Sequence, residues 1–296
     1  MDIFVLLADI AAVVVPVFLI AALGFGWSRA KLPYDSAFIT TFAINVATPC
    51  LVFSSLVRLT LGGDDLLIMA VASVGSMALA GLLATPILLA FRLPVRVYLP
   101  ALSFPNGGNM GIPVCLFAFG ETGLGLAVLF FAALAVLQFT LGPALAAGRT
   151  DVRQVLRTPV IYAVALALLV LLTGIRLPQW ATNTTTLLGN CAVPLMLFSL
   201  GVALAGLRMD GMVRSLAMSA LRLLLGFAAG WAMVTILDLE GTIRGVVLLQ
   251  STMPVAVFNY LWALRYNNAP QEVAGMVLGS TALSFLTLPL LLAAVM

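Results

Sequence analysis

Residues 103–113 read Ser-Phe-Pro-Asn-Gly-Gly-Asn-Met-Gly-Ile-Pro and lie in the middle of an apolar run that extends over 97–119. Two prolines and three glycines fall within nine of these residues, from Pro105 to Pro113. Proline removes a backbone donor and glycine weakens a helix, so this stretch cannot sustain an unbroken ladder of hydrogen bonds. The stretch therefore predicts a helix that opens near its centre.

The composition of the whole chain indicates that this helix lies in a membrane. Of the 296 residues, 63% are hydrophobic and only 8% are charged, whereas a soluble domain carries roughly 25% charged residues. Charged, proline and glycine breaks divide the chain into ten apolar segments, each long enough to cross a hydrocarbon core of roughly 30 Å. We name these segments spans 1 to 10, and they cover 3–26, 36–57, 66–91, 97–119, 122–147, 159–175, 184–207, 211–237, 241–264 and 271–295.

The basic residues predict the orientation of the chain. Ten of the 14 Lys and Arg residues follow odd-numbered spans, three lie on the opposite side, and Arg222 lies inside span 8. Because connectors rich in Lys and Arg stay in the cytoplasm, we expect both termini on the extracytoplasmic side of the plasma (inner) membrane.

Spans 2 and 7 contain the same pattern of residues. Asn, Pro, Phe and Ser recur at one offset of 145 residues, as Asn45, Pro49, Phe53 and Ser54 and as Asn190, Pro194, Phe198 and Ser199. Five spans separate the two copies, so the second copy enters the membrane from the opposite side. The pattern predicts two inverted repeats, 1–148 with spans 1–5 and 149–296 with spans 6–10, a construction typical of secondary transporters.

Span 9 contains a second interruption at the place that corresponds to the first. Residues 250–259 read Gln-Ser-Thr-Met-Pro-Val-Ala-Val-Phe-Asn, and Pro254 follows Pro105 by 149 residues. Two discontinuous helices at matched positions indicate a transporter's binding site, and a helix N-terminus exposed at each break suits a carboxylate. We therefore expect an all-α integral membrane protein of ten transmembrane helices, in which spans 4 and 9 are broken near their centres.

The candidate substrate-binding residues all belong to these two spans. They are Pro105, Asn106, Gly107, Asn109, Gln250, Ser251, Pro254 and Asn259. The glycines of span 4 could instead form a packing seam, since small residues let helices approach closely. Packing alone does not explain the asparagines beside them, because a buried amide needs partners.

Three other polar residues have two interpretations each. Asn45 and Asn190 could line the site, or each could satisfy a carbonyl released by the proline four residues later. Arg222 could be a counter-ion for an anionic substrate, or its side chain could reach the cytoplasmic interface. We interpret Gln138 in span 5 as an inter-helix hydrogen-bonding residue.

The residues that are missing argue against several functions. The chain has no histidine and no cluster of carboxylates within its spans, so an enzyme is disfavoured and we predict no catalytic residue, cofactor or metal. The three cysteines, Cys50, Cys115 and Cys191, lack metal-ligand spacing and are interpreted as packing residues. The arginines are scattered rather than grouped into a basic patch, which argues against nucleic acid as a partner.

Both interruptions resemble motifs of the auxin efflux carrier family. Pro105-Asn106-x-x-x-Met110-Gly111-Ile112-Pro113 resembles that family's first crossover, and the stretch from Pro254 to the Tyr-Asn pair at 266–267 resembles its second. The paired Asn-x-x-x-Pro segments also fit, and the resemblance covers essentially the whole chain. One departure is Val255, where plant members have an amide.

The resemblance implies a scaffold and a moving unit. Spans 1, 2, 6 and 7 would form a scaffold that dimerises. Spans 3–5 with 8–10 would form a transport unit, in which the broken spans 4 and 9 cross at their prolines, and this unit would move past the scaffold like an elevator. It also implies a carboxylate bound near the crossover, with Asn106 as the crossover asparagine.

We therefore expect a secondary transporter, embedded in the lipid bilayer, for a small mono- or dicarboxylate such as malonate or malate. The alternatives are an anion channel and a membrane-embedded sensor. A channel predicts unsaturable flux, whereas a carrier predicts saturation and countertransport.

Overall fold

The computed structural model describes residues 15–16, 19–58, 63–148, 159–206 and 212–295. Within these ranges the regular elements are helices, and the extended backbone forms one isolated bridge, between Pro105 and Val255. The helices cover 19–29, Ser36–Phe42, Ala43–Ala47 (π-helical), Thr48–Arg58, Gly63–Ala90, Val95–Ser103, Gly107–Gly111 (π-helical), Ile112–Ala147, Pro159–Thr173, Gln179–Asn190, Ala192–Gly206, Met212–Ile236, Gly241–Thr252, Val257–Arg265 and Pro270–Val295. The prediction of an all-α fold is confirmed.

Several of these helices are suited to a bilayer. Four within the described ranges are long and apolar enough to cross a membrane: Asp65–Ala90, Gly107–Ala147, Val213–Ile236 and Pro270–Val295. Asn45–Val57 and Pro159–Val170 are shorter apolar helices. The chain is therefore a multi-pass membrane protein, while the count of ten crossings and the inversion of the repeats stay predictions.

The longest helix contains a sharp bend at Gly120. Its backbone there has φ 62° and ψ −152°, a conformation that glycine adopts without the steric cost of a side chain. The bend separates the second half of span 4 from span 5, which agrees with the predicted boundary between 119 and 122.

The repeated Asn-x-x-x-Pro pattern coincides with an irregular turn in both copies. Span 2 passes through the π-helical turn Ala43–Ala47 just before Pro49, and span 7 is interrupted at Cys191, three residues before Pro194. A proline ring displaces the carbonyl four residues earlier and supplies no donor. The irregular turns accommodate that displacement.

Span 7 begins earlier than predicted, at Gln179 rather than at residue 184. The prediction treated the polar residues before 184 as a connector. Within this polar stretch the Thr182 hydroxyl donates to the carbonyl of Pro178 at 3.5 Å, so it is partnered inside the helix. Pro178 occupies the N-cap position immediately before the helix.

The spans pack in two groups. Span 2 packs against spans 6 and 7, and span 1 meets span 7 where Gly24 and Gly201 lie against the backbone of Phe198 and Ala21. In the second group, span 8 packs against spans 3, 9 and 10, and span 5 packs against span 9. We call spans 1, 2, 6 and 7 the first group and the remaining spans the second group. The crossover of spans 4 and 9 belongs to the second group and faces the first.

Candidate substrate site

Span 4 is broken between two half-helices. The first half, Val95–Ser103, ends at Phe104, whose backbone is extended with φ −99° and ψ 110°. This extended conformation is expected because Phe104 precedes Pro105, and a residue before proline is sterically excluded from the helical region. The second half begins with the π-helical turn Gly107–Gly111. The predicted opening of this helix is therefore present.

Span 9 is broken in the same way. The half-helix Gly241–Thr252 ends at Met253, which is extended with φ −57° and ψ 151° and precedes Pro254. The second half-helix, Val257–Arg265, begins three residues after the proline.

The two breaks lie against each other as antiparallel extended segments. The backbone N–H of Asn106 donates to the carbonyl of Pro254 at 2.7 Å, and the N–H of Ala256 donates to the carbonyl of Phe104 at 3.3 Å. The side-chain amide of Asn259 also donates to Phe104, at 3.3 Å. Each break thus satisfies backbone groups that the other has released from its helix.

A small cavity lies where the crossover faces the first group of spans. It has a volume of about 40 Å³, room for only a few water molecules. Its wall combines the crossover with spans 2, 5, 6 and 7, and the described residues that line it are Thr48, Pro105, Asn106, Gly108, Asn109, Phe131, Gln138, Phe139, Val160, Met196, Ala256 and Phe258.

Two buried amides in this wall have donors without a protein partner. Asn106 is 4% exposed and Gln138 is 2% exposed. Neither the Nδ2 of Asn106 nor the Nε2 of Gln138 has a hydrogen-bond partner in the described part of the chain. A buried donor without a partner costs free energy, and a ligand with acceptor oxygens would recover that cost.

Three phenylalanines, Phe131, Phe139 and Phe258, form part of the remaining wall. The rings of Phe139 and Phe258 meet edge to face, with centroids 4.9 Å apart, and Phe139 also packs against Trp262 with centroids 6.3 Å apart. Such a surface is suited to the hydrocarbon part of an organic molecule, while the amides are suited to its polar end.

The structure brings only some of the predicted site residues to the cavity. Pro105, Asn106 and Asn109 line it, whereas Gly107 lies behind the wall, packed against Leu134 and Gln250.

The predicted ligands from span 9 support the crossover instead of lining the cavity. The amide of fully buried Gln250 lies against Gly107 and Gly111, and its Nε2 donates to the carbonyl of Ala127 at 3.4 Å. The carbonyl of Ser251 accepts a hydrogen bond from Arg222, and the carbonyl of Pro254 accepts the one from Asn106. Asn259 donates to Phe104, as described above.

The structure places Asn45, Asn190 and Arg222 in three different surroundings. Asn45 is exposed and does not line the crossover cavity, whereas Asn190 lines a larger cleft described below. Arg222 does not reach an interface, because it is 1% exposed and its guanidinium binds two backbone carbonyls. Its side chain is therefore structural in this conformation.

Gln138 is the site residue that the sequence interpretation placed elsewhere. Gln138 contributes to the cavity wall because of the side of span 5 that faces the crossover. Span 5 is apolar on all sides, so its sequence has no amphipathic pattern that would indicate which side this is. The one available signal was the presence of a single amide in the centre of an apolar run.

Replacement of Gln138 by leucine tests this assignment. For the small carboxylate expected from the sequence, we predict that the KM rises by roughly tenfold or more, because a hydrogen bond to a charged group contributes about 1.5–3 kcal/mol. Uptake kinetics in proteoliposomes measure the change. Thr140→Val is a matched control in the same span, since its hydroxyl donates to the carbonyl of Val136 within the helix. An unchanged KM in Gln138→Leu would remove this residue from the site.

A larger cleft lies beside the crossover cavity. It has a volume of about 430 Å³ and is lined by residues of spans 2 and 7 and of the region around Gly120, including Ser54, Glu121 and Asn190. Leu51 lines the cleft, while Thr48, about one helical turn away in span 2, lines the crossover cavity. The cleft and the cavity are therefore neighbours along span 2.

Comparison with known proteins gives consistent matches. A family model described as membrane transport protein matches residues 9–155 and residues 143–292. An uncharacterized transporter of Methanothermobacter thermautotrophicus is 28% identical over an alignment of 269 residues, which covers 86% of this chain and 88% of the relative. An uncharacterized transporter of Methanocaldococcus jannaschii is 24% identical over an alignment of 196 residues, which covers 62% of this chain and 63% of the relative. The two stretches that match the family model include both breaks.

Proposed function

The chain belongs to the membrane transport protein family, which includes the auxin efflux carriers, and from this premise we propose that it is a secondary transporter of small organic anions. The observation that carries the proposal is the pair of amide donors on Asn106 and Gln138, which face one cavity beside the crossover and have no partner among the described residues. Mono- and dicarboxylates supply the acceptor oxygens that these donors lack.

The helix termini at the crossover favour a negatively charged group. The half-helix that begins at Gly107 leaves its first backbone N–H groups without acceptors within the helix, and the N-terminus of a helix carries partial positive charge. Gly108 and Asn109 from this first turn line the cavity. A carboxylate there would accept hydrogen bonds from backbone and amide donors together.

The size of the cavity favours a carrier over a channel. About 40 Å³ holds only a few water molecules. A dicarboxylate can enter only if the two groups of spans move apart. We propose that the second group moves past the first as an elevator, with the first group as the scaffold of a homodimer in the plasma membrane.

Uptake into proteoliposomes tests the proposed function. Labelled malonate and malate are offered with and without a proton gradient, and unlabelled mono- and dicarboxylates are used as competitors. A carrier gives saturable uptake that an anion loaded inside the vesicles accelerates by countertransport. Flux that rises linearly with concentration and shows no countertransport would indicate the channel instead, and a complete lack of flux for every carboxylate would contradict the proposed cargo.

A further inference from the structure

Arg222 is a buried cation next to both breaks. It lies in span 8, within the helix Met212–Ile236, and is 1% exposed. Its Nη1 donates to the carbonyl of Leu102 at 2.6 Å, and its Nη2 donates to the carbonyl of Ser251 at 2.7 Å. Among the described residues it forms no ion pair with a carboxylate, since the ion pair found there joins Arg214 to Glu272 at 3.6 Å.

The two acceptors occupy equivalent places in the two broken spans. Leu102 lies in the last turn of the half-helix Val95–Ser103, and Ser251 lies in the last turn of the half-helix Gly241–Thr252. The C-terminus of a helix carries roughly −0.5 of an elementary charge, so two such ends carry together roughly −1. One guanidinium therefore balances both ends, without a carboxylate.

The surrounding backbone is shaped for this contact. Gly226, one turn after Arg222, lies so close to span 9 that a Cβ atom would be 2.2 Å from the carbonyl oxygen of Ser251. Only a residue without a side chain allows this approach. The planar guanidinium has forked donors that reach two acceptors at once, which an ammonium group does less well.

Carbonyls at the ends of broken half-helices are the groups with which many transporters bind a coupling cation. We propose that Arg222 is the resident cation of this crossover: it positions the two half-helix ends and occupies the place of an inorganic cation, so that transport needs no Na⁺ there. This inference concerns the same transport function that we propose above. It rests on that function only for the uptake measurement, and not for the measurement of melting temperature.

The test compares Arg222→Ala with the wild type in proteoliposomes prepared in a choline buffer without Na⁺. We expect uptake by the variant to fall by more than about tenfold. Guanidinium or Na⁺ at millimolar concentration restores uptake to within about threefold of the wild type by filling the vacated site. Arg214→Ala is the matched control, because Arg214 lies in the same span with an exposed side chain. It is expected to remain insensitive to both cations.

A second readout does not depend on any carboxylate. The melting temperature of purified Arg222→Ala should rise with guanidinium or Na⁺ concentration, while the wild type and Arg214→Ala show no such rise. If the protein does not transport carboxylates, the change in melting temperature still tests the role of Arg222. If Arg222→Ala is not recovered as folded protein, Arg222→Lys replaces it, and the retained charge should support folding and uptake without Na⁺.

Three results would overturn the proposal. The first is an Arg222→Ala variant that transports like the wild type in the choline buffer. The second is an inactive variant whose uptake and melting temperature respond to neither cation. The third is an Arg222→Lys variant that does not fold.

Discussion

Replacement of Asn106 by alanine is expected to abolish uptake of the organic anion while the protein still folds. The side chain of Asn106 lines the crossover cavity, and its Nδ2 has no partner in the described part of the chain. Removal of this donor costs the bound anion about 1.5–3 kcal/mol, which lowers affinity roughly 10- to 150-fold. Uptake then falls to background at substrate concentrations below the wild-type KM.

The fold should tolerate this substitution. The backbone N–H of Asn106, which donates to Pro254, is unchanged by the mutation. The deleted side-chain donor has no described protein partner, so its loss leaves no such partner unsatisfied. Thermal unfolding of the purified Asn106→Ala variant measures its stability. Asn183→Ala, at an exposed asparagine of span 7, is the control. Wild-type uptake by Asn106→Ala would exclude a direct role in binding.

Gly226→Ala is expected to disrupt the crossover itself. The new Cβ atom would lie 2.2 Å from the carbonyl oxygen of Ser251, and backbone atoms cannot rotate away from such a contact as a flexible side chain can. Spans 8 and 9 must therefore separate, which also pulls the carbonyl of Ser251 from Arg222. Overpacking of this kind costs about 1–3 kcal/mol, so the melting temperature and uptake should both fall.

Gly26→Ala provides the control for this substitution. A Cβ atom at Gly26, which is also helical, meets nothing within 4 Å, so the variant should melt and transport like the wild type. If Gly226→Ala behaves in the same way as Gly26→Ala, the close approach of spans 8 and 9 is not required for function.

The breaks in spans 4 and 9 could be predicted because they are local properties of the chain. Pro105 and Pro254 each impose an extended residue before them and remove a backbone donor, whatever surrounds them. That the breaks meet followed from their matched positions and from the resemblance to the family, which the comparison confirms. The orientation of the chain and the inversion of its halves rest on patterns of charge and repetition, and they stay predictions.

The direction in which each side chain points could not be predicted from the same signals. Gln250 and Gln138 are both amides within predominantly apolar spans, yet Gln250 packs against the glycines of span 4 and Gln138 faces the cavity. The difference arises from how each helix is rotated against its neighbours, and a span that is apolar on all sides has no amphipathic pattern to reveal this. The partners of Arg222 could not be predicted for a related reason. They are backbone carbonyls, which every residue has, so the sequence does not indicate which of them accept its hydrogen bonds.

We propose that the anion binds in the cavity between the crossover and the first group of spans. Thr48 of span 2 lines this cavity and is 5% exposed. A Thr48→Cys variant, with Cys50 and Cys191 replaced by alanine and buried Cys115 retained, reports on the cavity through its rate of alkylation by a small thiol reagent. We expect the transported carboxylate to slow alkylation, with half-maximal protection near the KM for uptake. An alkylation rate that stays the same at saturating carboxylate would contradict the account.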